Sequence, residues 1–169
     1  SRSVFSPTVT ASFQPFEHAS FLLRAFYKDI FRAPTFNEQY YYAIGLRNIK
    51  PEYTQQYNLG ATCQKNMNGA WRDVVLTVDA YYNHIRDKIV YSGSPSLPDF
   101  TNLGLVDIKG LDVTLKSTLA PAADWLGVLS ANYTYQLAQD FTNPGNTFYL
   151  DQIPNTAKSV PHFNAGISH

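Results

Sequence analysis

The chain has 169 residues, enough for one domain with its own core, and a formal net charge of zero from 13 basic and 13 acidic residues. That balance, with no basic run, argues against nucleic acid as a partner, and the single cysteine, Cys63, excludes an intrachain disulfide framework. Hydrophobic residues make up 44% of the chain, yet its mean hydropathy is −0.24, so apolar and polar side chains are interleaved and no run approaches the roughly eighteen apolar residues of a transmembrane helix.

A β-barrel escapes that last test, because its lipid face takes only every second residue. Tyrosine and phenylalanine are abundant, at twelve and eleven, which favours surfaces with one apolar end and one wet end. The opening SRSVFSPT has neither the basic nor the apolar region of a signal peptide.

Seven β-strands are predicted in chain order, at Pro7–Gln14, Ser20–Ile30, Glu52–Gln64, Arg72–Tyr91, Leu103–Leu119, Gly127–Phe141 and Ala157–Ser168. A short helical turn is expected near Pro34–Tyr40. In the third strand Tyr57, Leu59 and Ala61 oppose Gln56, Asn58, Gly60 and Thr62. In the fourth, Val74, Leu76, Val78, Ala80 and Tyr82 oppose Asp73, Thr77, Asp79 and Asn83. Leu111, Val113 and Leu115 oppose Asp112, Thr114 and Lys116 in the fifth; Leu129, Ala131, Tyr133, Tyr135 and Leu137 oppose Ser130, Asn132, Thr134 and Gln136 in the sixth. Side chains alternate across a strand, so each has one apolar face and one polar face suited to lining water.

The connections alternate in length. Pro15–Ala19, Lys65–Trp71 and Ala120–Leu126 are short, whereas Phe31–Pro51, Ser92–Asn102 and Thr142–Thr156 are long. In an up-and-down meander this puts every short turn at one end and every long loop at the other, the asymmetry of outer-membrane barrels. The two tryptophans, Trp71 and Trp125, both stand where a short turn meets a strand, hence at one rim. From Val74 to Tyr82 a tilted strand climbs about 23 Å, close to the apolar height between two aromatic girdles. Tyr82, Tyr91 and Tyr135, with the Tyr40–Tyr42 run, are expected at the opposite girdle or above it. A soluble β-sandwich that binds carbohydrate through an aromatic loop is the alternative architecture.

The run Phe31–Gly60, FRAPTFNEQYYYAIGLRNIKPEYTQQYNLG, joins two strands through a loop too aromatic to be a disordered linker. Phe36, Tyr40, Tyr41 and Tyr42 are its candidate ligand-contact residues, because rigid aromatics give large contact area at small entropic cost.

These residues also carry a family resemblance. FRAPTFNEQYY followed by LRNIKPEYTQQYNLG resembles a stretch of the barrel of TonB-dependent outer-membrane receptors, in which F-R-x-P-[ST] precedes an extracellular loop and N-[LI]-K-P-E opens the next strand. The matching residues are Phe31, Arg32, Pro34 and Thr35, then Asn48, Ile49, Lys50, Pro51 and Glu52. DAYYNHIRDKIV and NLGLVDIKGLDVTL are similar to the following hairpin, through Asp79, Tyr82, Asn83, Asn102, Gly104, Gly110, Leu111 and Asp112. The resemblance implies an all-β, antiparallel up-and-down meander of about seven strands within a barrel of roughly 22 strands. It implies residues 1–169 as a partial barrel domain, without the plug domain and energy-coupling box of the family. It further implies a bacterial outer-membrane transporter that imports a siderophore, haem, cobalamin or glycan with energy from a TonB complex. The expected partners are outer-membrane lipid, the remainder of the barrel, the plug and, through the plug, TonB. The unpaired edges of an isolated piece should drive self-association, against which a monomer by light scattering in plain buffer would count.

No metal site, cofactor or catalytic group is expected. His18, His84, His162 and His169 lack metal-ligand spacing and Cys63 lacks a near partner. Ser130 and His84 are the raw material for a lipase-like barrel enzyme, but no spacing orders them. Asp73, Asp79, Asp112 and Lys116 are expected to line the lumen and pair across strands or meet the plug. Arg32, with the other motif residues, is expected to anchor the loop rather than grip a ligand.

Overall fold

Residues 5–16, 20–40, 48–91, 100–122, 125–145, 149–153 and 157–168 are described by a computed structural model. Each alternating segment forms a strand: β1 (Thr8–Phe13), β2 (Ser20–Arg32), β3 (Glu52–Asn66), β4 (Trp71–Tyr91), β5 (Phe100–Ala122), β6 (Trp125–Asp140) and β7 (Ser159–Ser168). One helical turn, α1 (Phe36–Tyr40), follows β2. The strands lie in chain order in one seven-stranded sheet, each antiparallel to the next. A sandwich needs a second sheet packed on the first. The described residues form a single sheet, so the sandwich alternative is set aside.

The register keeps the two faces apart across the whole width of the sheet. Arg24, Gly60, Asp79, Asp112 and Thr134 stand side by side in one row, and the neighbouring row is Ala25, Leu59, Ala80, Leu111 and Tyr135 on the other face. The apolar face is uncovered: Leu59, Leu76, Leu111, Leu115, Leu129, Tyr133 and Phe163 are all exposed. An apolar surface this broad on a single sheet marks an interaction face.

The strands run longer than expected at several ends, most of all β5. Asn102 and Pro121 read as loop residues, but Tyr91 still pairs with Phe100 at one end and Ala122 with Trp125 at the other. Pro121 lies within the register irregularity between Leu119 and Ala122, a position where a missing N–H is tolerated.

The small buried core sits at the long-loop end of the polar face. Ile85, Val106, Ala138 and Ile153 pack together there, with Leu103 and Ile108 against them. Ile153 reaches this cluster because part of the last long connection folds back along β6. The Ile153 amide donates to the Ala138 carbonyl at 2.9 Å, and the Leu150 amide to the Asp140 carbonyl at 2.9 Å.

Two glycines shape the polar face. A Cβ at Gly110 would collide with the Tyr81 ring, and one at Gly60 with the Asp79 carboxylate. Each glycine sits in the middle of three strands and lets a side chain cross from one neighbour to the other. Over Gly110 the Tyr81 hydroxyl donates to Gln136 Oε1 at 3.0 Å; over Gly60 Arg24 meets Asp79 at 3.3 Å. Gly110→Ala should swing Tyr81 off Gln136 and cost about 1 kcal/mol, the net worth of one such hydrogen bond. Denaturant titration of the whole receptor in detergent would check it, and Tyr81→Phe in the Gly110→Ala background should then add almost nothing.

Candidate functional site

The end of β2 and the start of β3 are held by one group of polar side chains. The sequence T-F-N-E closes a capping box at the start of α1. The Thr35 amide donates to Glu38 Oε2 at 2.7 Å, and the Glu38 amide donates to Thr35 Oγ1 at 3.4 Å. The same carboxylate accepts both contacts from Arg32 Nη1, at 3.0 and 3.2 Å. Burial alone would raise the Glu38 carboxyl, but the Thr35 amide and the Arg32 guanidinium outweigh it and hold it below its ordinary value.

Arg32 also reaches across to β3, where its Nη2 donates to Glu52 Oε2 at 3.3 Å. Glu52 is buried, at 6% exposure, and a buried carboxylate must be paired and hydrogen-bonded. Three donors meet it: Arg32, Lys88 Nζ at 3.3 Å on Oε1, and the Ile89 amide at 3.2 Å on Oε2. Asp87, just before these β4 groups, adopts a left-handed conformation with φ at 54°.

A second clip lies beside the first. The Asn102 side-chain amide donates to the carbonyls of Lys50 and Asp87, at 3.1 and 2.7 Å, and its oxygen accepts from the Lys50 amide at 2.9 Å. Lys50 Nζ stands 3.8 Å from the Asp87 carboxylate. Ile49 beside it is buried. The motif residues Arg32, Lys50, Pro51 and Glu52, separated by up to twenty positions, are thus drawn together with Lys88 and Asn102 at the loop end of β2–β5.

The remaining motif residues are placed as follows. The Phe31 ring packs on Tyr53 with centroids 5.3 Å apart, Pro34 is half-buried and Asn48 exposed. Gly110 and Asp112 lie at mid-sheet on the polar face, with Asp112 opposite Asp79. Among the candidate contact residues, Phe36 is 74% exposed at the start of α1 and Tyr40 closes that helix. Tyr41 and Tyr42, like His18 and His169, lie outside the described residues.

Trp71 and Trp125 are both exposed and at the short-turn end, where Trp71 pairs with Leu119 and Trp125 with Ala122. At the loop end of the apolar face, Tyr27, Tyr57 and Tyr82 form one row, with Tyr135 one row lower. Tyr27 and Tyr57 have centroids 5.0 Å apart, and Tyr57 and Tyr82 6.1 Å. His84 stands one row above, with Nδ1 2.8 Å from Asp107 Oδ1, while the Tyr82 hydroxyl donates to Asp107 Oδ2 at 2.9 Å. Ser130 is on the polar face near the opposite end, level with Lys116. Ser130 and His84 therefore cannot act on one substrate.

Glu38 and Lys88 are not singled out by sequence reasoning. T-F-N-E, a capping-box signature directly after Pro34, was the signal that could have found Glu38. Lys88 carries no such signal, since only the pairing of β3 with β4 brings it to Glu52.

A single twisted sheet with an uncovered apolar face, a polar opposite face, and an aromatic rim at each end is a segment of a transmembrane-type barrel wall. The family "TonB dependent receptor-like, beta-barrel" matches residues 1–168. The chain therefore belongs to the TonB-dependent receptor barrel family, a family of the bacterial outer membrane. Among solved structures it is similar to the siderophore receptor PirA from Pseudomonas aeruginosa, with 22% identity and a TM-score of 0.54 over 78% of this chain. That match spans 25% of the PirA chain, so the chain corresponds to about a quarter of the receptor it resembles.

Glu52→Gln should strand Lys88 and free Arg32, still held by Glu38, from β3, lowering stability by about 2 kcal/mol; hydrogen exchange at Lys50–Tyr53 and Ile89 would report it locally. Acid should act through Glu38. Its folded carboxyl lies below the ordinary 4.5, so its contribution is whole above that value and is lost as pH falls through the lowered one. Protection of the Thr35 and Glu38 amides should fall over that range, and Glu38→Gln should abolish the pH dependence.

Proposed function

We propose that this chain is the loop-bearing wall of an outer-membrane active transporter that binds a scarce nutrient outside the cell and imports it with TonB-derived energy. The observation that carries this reading is the clamped aromatic loop. A long connection rich in tyrosine is tied at both feet to one buried carboxylate at the mouth of a barrel of this family. The motif residues Phe31, Arg32, Pro34, Asn48, Lys50, Pro51 and Glu52 shape and fix the feet. Phe36, Tyr40, Tyr41 and Tyr42 meet the ligand between them. Trp71 and Trp125 serve as the inner membrane girdle and Tyr82 as part of the outer one, with Tyr135 just below it.

The polar face, with Arg24, Asp79 and Asp112, lines the lumen against the plug through which TonB acts. The edges β1 and β7 continue into the rest of the barrel. The likeness to a siderophore receptor makes ferric siderophores the first ligand class to try, ahead of haem, cobalamin and glycans.

In the whole receptor, replacing Tyr40, Tyr41 and Tyr42 together with Ala should weaken binding tenfold or more, since interface tyrosines are frequent energetic anchors. Binding would be followed by intrinsic fluorescence quenching against a panel of ferric siderophores, and uptake in cells with and without TonB. Unchanged affinity in the triple variant would remove the tyrosines from the site. Uptake that persists without TonB would remove the transport reading.

A further inference from the structure

β7 stops short of the top of β6. The last pair of their ladder is Tyr135 with Ser159, whereas β6 runs on to Asp140. The edge left above is taken by residues 149–153, part of the last long connection. Carried upward in step, the β6–β7 ladder would set residue 155 against Gln139. Gln152 stands there instead, three residues early. Three is odd and the side-chain period is two, so this stretch turns its odd residues to the face that β7 gives its even ones. Ile153 is thereby placed on the polar face, among Ile85, Val106 and Ala138.

The mismatched register fits poorly. Among the described residues the stretch makes one bridge to β6, and side-chain amides stand in where ladder bonds are missing. Gln152 Oε1 accepts from the Ala138 amide at 3.1 Å, and Gln139 Nε2 donates to the Leu150 carbonyl at 2.7 Å. The Asp140 amide reaches the Asp151 carbonyl at 3.3 Å, the long end of the hydrogen-bond range. Leu150 adopts a φ of 68°, a left-handed conformation that is unfavourable for a side chain of this size. That side chain is exposed, so little packing offsets the strain. None of this weakens the sheet beneath, because Val106 and Ala138 belong to the β5–β6 ladder whether or not Ile153 covers them.

We propose that residues 149–153 form a strap that lifts from β6 and redocks while the sheet stays folded. Lifting uncovers an apolar patch of Ile85, Val106 and Ala138 at the long-loop end of the polar face. Local opening of this kind draws on segments with few buried contacts and few ladder bonds. The lifted strap widens the mouth of the lumen, and that consequence alone rests on the transporter reading above.

The test uses the whole receptor in detergent, with every native cysteine, Cys63 included, replaced by Ser. Ala138→Cys puts a thiol under the strap, and Ser117→Cys puts one at a buried position of β5 that the strap does not touch. Ala138→Cys should react with a small maleimide at least tenfold faster than Ser117→Cys, which waits for the sheet itself to open. Leu150→Gly removes the backbone strain, and should slow Ala138→Cys about fivefold while leaving Ser117→Cys unchanged. Ile153→Ala should speed Ala138→Cys. Equal rates at the two positions, or no slowing by Leu150→Gly, overturns the proposal. Hydrogen exchange of the unsubstituted receptor is a second measurement. The Leu150 and Ile153 amides should exchange together, well before those of the β6–β7 ladder, and protection equal to that ladder's overturns the proposal as well. No readout here uses uptake, so failure of the strap and failure of the transporter reading are separate results.

Discussion

A slip of one residue between β3 and β4 would turn Asp79 toward the apolar side and Val78 toward the polar side, and would do the same to every other pair on those strands. Strand register, more than any single contact, is what the sheet depends on, because the side-chain period is two and each face has its own solvent. The slip is resisted by groups that tie particular residues across strands. Arg24 reaches Asp79 past Gly60, and Tyr81 reaches Gln136 past Gly110. These are next-but-one contacts, so each fixes three strands at once.

Glycine is the residue that makes such contacts possible. Inside a strand it weakens local packing, yet it also opens the space through which a neighbouring side chain can pass. At Gly110 that space is filled by the Tyr81 ring, which restores the cover a side chain would have given. The two polar contacts at mid-sheet and the buried cluster nearer its loop end, around Ile85 and Val106, then hold the wall from its middle upward.

The fold was legible because membrane strands must alternate. Val74 to Tyr82 and Leu129 to Leu137 show it without interruption, and the unequal loops and two tryptophans assigned the ends. The site was less legible. Arg32 and Glu52 stood out only through their motifs, and their common purpose appears once β2 and β3 are paired. Lys88 was invisible because only the pairing of β3 with β4 carries it to Glu52. The row Tyr27, Tyr57 and Tyr82 was half seen: Tyr82 was placed at the girdle, but its two neighbours come from strands whose mutual register the sequence does not state.

The choice of a buried carboxylate at the foot of the loop follows from what the loop must do. An apolar pair would hold β2 to β3 as well or better, since burying ions costs desolvation that their attraction only partly offsets. It would not fix direction. Glu52 accepts from Arg32 on one strand and from Lys88 and the Ile89 amide on another, and Arg32 passes the constraint to Glu38 and so to α1. Each donor has a defined angle, so the chain leaves β2 and enters β3 on set paths. Apolar contacts could slide, whereas this chain of charge-assisted bonds orients α1, the first turn of the loop, with Phe36 at its start.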